Sequence, residues 1–279
     1  MPSFPVSICI LSLVQASVVL APAPRVLARL SRLRSGWWAL LPVASVVGFV
    51  FAVRALAGVA DGLTYLALIA VPPLAALALA YLMRGGRPRL AAAVVPLFAL
   101  AWADRSGLPG EAAGLVLDAL SCIALGVLLV AVTPRALVKL AIVAMAAVDA
   151  WLVITNLLTA PNNSLNAAAP AAGLPQLQRV LFGSAVMGYG DLFIAGLLGA
   201  LLAFEPRLQW RATLLAATLA LLSDLLFFAV NELPATVPIA LTLIAIEGSA
   251  LRSRRRASGR GSGGRRPNAP TQEAVRDRG

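Results

Sequence analysis

The sequence predicts an all-α polytopic membrane protein of about nine transmembrane helices, with its N-terminus outside and its C-terminus cytoplasmic. Three observations carry that prediction. Of 279 residues, 60% are hydrophobic and only 13% are charged, far less charge than a soluble domain of this length carries. The apolar runs are long, continuous and rich in Ala and Leu, which suits helices rather than the short alternating strands of a barrel. The basic residues gather in alternate connections, and the positive-inside rule assigns these to one face of a bilayer.

A helix needs about 20 apolar residues to cross the hydrocarbon core. The first span runs from about Phe4 to Leu20 and ends in Ala21-Pro22-Ala23-Pro24. No basic residue precedes its apolar core, so a retained helix is expected rather than a cleaved signal. The second, from about Trp37 to Leu56, opens on a Trp pair suited to the membrane interface. The third, from about Leu63 to Met83, contains Pro72-Pro73, an expected kink. A short fourth covers about Leu90 to Ala103, the fifth about Ala112 to Val132 and the sixth about Ala136 to Leu158. A polar loop, Pro161-Asn162-Asn163-Ser164-Leu165-Asn166, and an Ala/Pro/Gly stretch lead to the seventh, about Val180 to Phe204. The eighth covers about Ala212 to Val230 and the ninth about Leu233 to Ile246.

The loops agree with this count. Arg25, Arg29, Arg32 and Arg34 follow the first span, and Arg84, Arg87 and Arg89 follow the third. Arg135 and Lys139 flank the turn after the fifth, and Arg207 and Arg211 follow the seventh. The connections after even-numbered spans (Asp61, Asp104 to Glu111, the Asn-rich loop and Asn231-Glu232) are poor in basic residues. Residues 1–250 thus read as the transmembrane domain, with 134–250 as the candidate catalytic half. Residues 251–279 read as a disordered Arg-rich cytoplasmic tail.

Composition also excludes chemistries. The chain has no histidine, so Ser-His proteolysis and a His-Glu-x-x-His zinc site are ruled out. Cys9 and Cys122 lie in apolar runs with no metal-like spacing and read as packing residues. There is no phosphate loop, nucleotide motif or ligand cluster, so no cofactor is expected. The net charge of +11 owes much to the nine arginines from Arg252 to Arg278. In a membrane protein such a tail fixes topology and touches anionic lipid, and no nucleic acid partner is expected. One lysine against 22 arginines, with many alanines, suggests a GC-rich bacterial genome and hence a bacterial plasma membrane.

A carboxylate in hydrocarbon costs roughly 3 kcal/mol on insertion scales, so each one marks a functional candidate. Asp191 follows two glycines in Gly188-Tyr189-Gly190-Asp191, where the missing side chains permit close backbone approach. Asp149 lies about fourteen residues into the sixth span, and Asp191 about twelve into the seventh, which enters from the opposite face. At 1.5 Å per residue both reach roughly 18–21 Å, near the midplane. Consecutive antiparallel helices pack together, so a facing pair is expected. Two carboxyls sharing a site cannot both ionise easily, and one acid beside one base is the aspartic-protease arrangement. Asp118, Asp224 and Arg54 are polar residues in other spans, so proton relays or helix–helix hydrogen bonds remain open.

Asp149 in the sixth span, Gly188-Tyr189-Gly190-Asp191 in the seventh and Leu233-Pro234-Ala235-Thr236-Val237-Pro238 opening the ninth resemble the presenilin and signal-peptide-peptidase family. These are the intramembrane aspartyl proteases with a Gly-x-Gly-Asp motif. Gly190-Asp191-Leu192-Phe193-Ile194-Ala195-Gly196 looks most like the signal-peptide-peptidase branch, whose outside N-terminus matches the expected topology. The resemblance implies a nine-span fold, a divergent bacterial-like member and cleavage of transmembrane helical peptides among membrane lipids. It implies Asp149 and Asp191 as the catalytic pair, Gly188, Tyr189 and Gly190 beside them, and Pro234, Ala235 and Thr236 lining the site. Two positions depart from the pattern: Val148 replaces the Tyr before the first Asp, and Thr236 replaces the Leu of Pro-Ala-Leu.

Three other readings stay open. Prepilin peptidases also carry Gly-x-Gly-Asp, but usually with a Lys where this chain has Phe193, and their first Asp sits in a basic segment. A proton-coupled transporter would use Asp118, Asp149, Asp191 and Asp224 as a relay. A catalytically silent scaffold would bind helices in the same groove.

Overall fold

The computed structural model describes residues 2–23, 35–55, 58–168, 170, 173–228 and 233–261. The basic residues Arg25 to Arg34, Asn231-Glu232 and the tail beyond 261 lie outside these, as does the side chain of Arg54. The described chain is helical, apart from one small hairpin. Among the described residues, four helices are long and apolar enough to cross a membrane: Val59–Leu82, Leu108–Val132, Arg135–Ile154 and Pro206–Phe227. This is an all-α membrane protein in its architecture.

Helix α1 is Phe4–Leu20 and α2 is Leu41–Ala55, entered through a 3-10 turn at Gly36–Leu40. Helix α3, Val59–Leu77, runs through Pro72 and Pro73 and continues as a π turn, Ala78–Leu82. A 3-10 segment, Pro88–Ala93, leads into α4, Val94–Ala103. Helix α5 is Leu108–Val132 and α6 is Arg135–Ile154. Trp37 and Trp38 are both exposed.

Helix α6 stops because Asn156 turns left-handed at φ 54°. Asn156 N–H then donates to Val153 O (3.0 Å) and Leu157 N–H to Leu152 O (2.9 Å), satisfying two orphan carbonyls. Asp149 therefore lies little more than one turn from the end of its helix.

The sequence expectation fails in three places after α6. The Asn-rich segment is not a loop but helix α7, Thr159–Ala167. Pro161 sits in its first turn, where a missing N–H costs nothing. The seventh span does not begin at Val180 as a helix. Val180–Phe182 and Ala185–Met187 form strands β1 and β2, an antiparallel hairpin with Val180 opposite Met187. Gly183 turns it at φ 60°, a conformation that costs glycine nothing. Helix α8 begins only at Tyr189 and ends at Leu202. Thirdly, α10, Thr236–Gly261, continues through residues 251–261, where a disordered tail was expected. Arginine is a good helix former, and the five residues Arg252, Arg254, Arg255, Arg256 and Arg260 favour this continuation despite Gly259. Helix α9, Pro206–Asp224, and a 3-10 turn, Leu225–Phe228, precede it.

Helix α8 is the central element. From Leu192 onward nearly every residue is buried, so it is apolar on all faces. Its main partners are α5 and α1, and α1 also packs on α9. The hairpin rests on α5 and α1. The chain divides into two units, Met1–Leu243 and Ile244–Gly279. The described part of the second, from Ile244 to Gly261, is helical.

Candidate active site

Asp149 and Asp191 line one cavity of ≈ 340 Å³, which lies within the first unit. That volume accommodates several waters. Gly188, Gly190, Pro234, Ala235 and Thr236 line the same cavity.

The scaffold under Asp191 differs from the sequence expectation. Asp191 lies in the first turn of α8 instead of twelve residues into a helix. The apolar residues counted as helix before it are the hairpin, so its expected depth along a continuous span does not apply. Its Oδ2 accepts the Gly188 N–H at 3.0 Å, while its own N–H donates to Gly188 O at 3.1 Å. A carboxylate in this position meets the positive end of the helix and satisfies an otherwise orphaned donor. A Cβ on Gly188 would stand 3.0 Å from that Oδ2, so the carboxylate would have to give by a few tenths of an ångström. A Cβ on Gly190 would meet only the flexible end of Met145, 3.3 Å away.

Asp149 is held from a different element. Thr236, buried at the start of α10, donates its Oγ1–H to Asp149 Oδ2 at 2.6 Å. The residue that departs from the family's Pro-Ala-Leu pattern therefore hydrogen-bonds the first aspartate directly. Val148, the other departure, packs against a small apolar cluster of Val50, Leu152 and Leu158.

Tyr189 is not among the residues lining the cavity. Its hydroxyl meets Ser121 Oγ at 2.6 Å, and Ser121 donates to the Asp118 carbonyl at 2.7 Å. Cys122 Sγ lies 3.6 Å from the Tyr189 carbonyl oxygen. Asp118 is buried on α5, with an Oδ1 that has no partner among the described residues. It is not among the residues lining the cavity. Asp224 does line it, with Ser12 against its carboxyl and an Oδ2 that has no partner among the described residues. Arg179, on the approach to β1, lines it too and donates to Gln176 Oε1 at 3.1 and 2.6 Å. Burial holds its guanidinium pKa below the usual arginine value.

The site is not confined to residues 134–250, as the sequence suggested. Gln15 on α1 is buried, lines the cavity and donates to Asp191 O at 3.0 Å and to Ala235 O at 2.9 Å. Ser7 Oγ accepts the Ser184 N–H at 3.2 Å, fixing the hairpin turn. The available signal was a glutamine inside an apolar helix, a polar residue that must find partners once buried. Among the described residues there is no cluster of three His, Cys, Asp or Glu that could hold a metal. No protein-family model, curated protein or solved structure matches this chain.

Proposed function

We propose that this chain is an intramembrane aspartyl protease of the presenilin and signal-peptide-peptidase type, with nine spans and an outside N-terminus. One observation carries the reading. Two aspartates from different helices, Asp149 and Asp191, line one cavity in a protein whose helices are largely apolar.

The chemistry follows from two carboxyls sharing a proton. The ionised one accepts a proton from water, whose oxygen attacks the scissile carbonyl carbon. The protonated one donates to the carbonyl oxygen, giving a tetrahedral diol. Proton transfer to the amide nitrogen then lets the C–N bond break, leaving an acid and an amine. The substrate is a transmembrane helical peptide, and its scissile bond must leave the helix because an intact helix occupies its carbonyls. Strand β2 supports this step. It leads straight into Gly188, Val186 and Met187 line the cavity, and its outer edge is outside the two-stranded ladder. An unwound segment can add its backbone there.

The test is cleavage of a single-span reporter by detergent-purified protein, and its block by an aspartyl-protease transition-state analogue. No cleavage of any reporter, with or without helix-breaking residues, would sink the proposal. Thr236 offers a finer check. Thr236→Val keeps the shape and loses the donor to Asp149, so kcat is expected to fall about 10-fold or more, the scale of a hydrogen bond to a charged group. Thr236→Ser should restore most of the rate. Equal rates for the two variants would remove Thr236 from the mechanism.

A second reading is favoured by Asp224, a third carboxyl on the same cavity. Three carboxyls suit a proton-coupled transporter. That reading predicts pH-dependent flux in liposomes, abolished by Asp224→Asn and indifferent to the transition-state analogue.

A further inference from the structure

The two halves of the site are far apart in sequence, and something must fix their relative position. Asp191 rides on the first turn of α8. Asp149 is bonded to Thr236, the first residue of α10. Neither carboxyl bonds the other's helix in a way that sets the spacing between them. The carboxamide of Gln15 does. Its nitrogen has two N–H donors, and they go to the carbonyl oxygens of Asp191 at 3.0 Å and of Ala235 at 2.9 Å. Ala235 directly precedes Thr236. A continuous path therefore runs from Asp149 through Thr236 and Ala235 to Gln15 and on to Asp191.

Packing alone does not call for glutamine at this position. Leu11, Ala16, Val18 and Val19 on the same helix are buried without polar atoms. Burying an amide among them costs free energy unless its donors are used, and here both are used on the segments that carry the two aspartates. We infer that Gln15 is a positioning residue of the active site, a clamp that sets the spacing of the Asp149 and Asp191 carboxyls. The inference rests on the protease reading for its kinetic consequence. The clamp itself has a readout that does not.

Gln209 supplies a matched control. It is also a buried glutamine whose Nε2 donates to carbonyls, those of Val19 at 2.9 Å, Gly199 at 3.2 Å and Pro22 at 3.3 Å, while its Oε1 accepts from Arg84. It sits on α9 against Val19, about one turn beyond Gln15 on α1, and does not line the cavity. Gln15→Met and Gln209→Met each remove a buried amide of similar shape. Both are to be purified as full-length protein, with thermal midpoint, reporter kinetics and amide hydrogen exchange measured side by side. Gln15→Met is expected to lower kcat about 10- to 100-fold, the range for a small misplacement of reacting groups, with KM within about twofold. Its exchange should rise at Gly188–Leu192 and Ala235–Val237 and stay unchanged in α2 and α4. Gln209→Met should lower the thermal midpoint at least as much while kcat stays within about twofold of the parent.

Unchanged exchange at both cavity segments in Gln15→Met overturns the clamp, whatever the kinetics. So does a kcat loss no larger than that of Gln209→Met. If the parent protein cleaves nothing, the protease reading fails by itself, and the exchange comparison still decides for or against the clamp. Should Gln15→Met not fold, Gln15→Asn keeps the amide but shortens its reach, and the same two exchange segments report the result.

Discussion

Asp149→Asn and Asp191→Asn are each expected to reduce reporter cleavage by about 10²–10⁴-fold or more, the contribution of a positioned acid or base. Asparagine is the right probe for structural reasons. Its side-chain oxygen can still accept from Thr236 at one site and from the Gly188 N–H at the other, so the local bonding survives. The thermal midpoint should therefore change little, and the loss should appear in kcat. The double variant should fall no further than the worse single one, because the pair works as a unit. Proteolysis at the parent rate by either single variant would end the two-aspartate mechanism.

Overfilling the seam between α5 and α8 is expected to give the largest loss of stability. A Cβ on Gly126 would collide with the backbone of Gly196, and one on Gly196 would come 2.5 Å from the Cys122 carbonyl oxygen. A Cβ on Gly199 would strike the Val19 carbonyl of α1. The obstacles are backbone atoms, so no rotamer change relieves them. Gly196→Ala should cost about 1–3 kcal/mol, and Gly126→Leu more, since small residues are what lets these helices approach. Gly62→Ala is the control: it lies inside α3 with nothing within 4 Å of the added carbon. It should be neutral or slightly stabilising, because alanine is the better helix former. Thermal unfolding in one detergent checks all three. A Gly196→Ala protein as stable as the parent would show that the seam relaxes freely. Because α8 carries Asp191 in its first turn, a shifted seam should also lower activity.

The apolar helices were legible because hydrophobicity is conspicuous over 15 to 25 residues, and they appear where the runs do. The hairpin was not legible. Val180-Leu181-Phe182 and Ala185-Val186-Met187 are as apolar as the helix that follows, so hydropathy shows no break between strand and helix. Only Gly183-Ser184 marks the turn, a weak two-residue signal. The aspartates were legible as candidates because acids are rare in such runs. They line a common cavity even though the depth argument assumed a continuous helix leading to Asp191. Thr236 was read as a mismatch to a family pattern, and its hydroxyl gains meaning only with Asp149 beside it. Gln15 was out of reach, since sequence places it in the first span, and no local rule links it to residues near 191 and 235.

Helix α8 has fourteen residues, about 21 Å at 1.5 Å per residue, against a hydrocarbon core of about 30 Å. On the protease reading the hairpin, packed on α1 and α5, would make up the difference. Backbone outside a helix is tolerated at that depth only where protein covers it or water reaches it. On the protease reading, the waterline of the protein therefore dips below the level of the surrounding lipid surface, and its lowest point lies over the carboxyls. A peptide bond arriving sideways from the bilayer would meet its second reactant there, without leaving the membrane to find it.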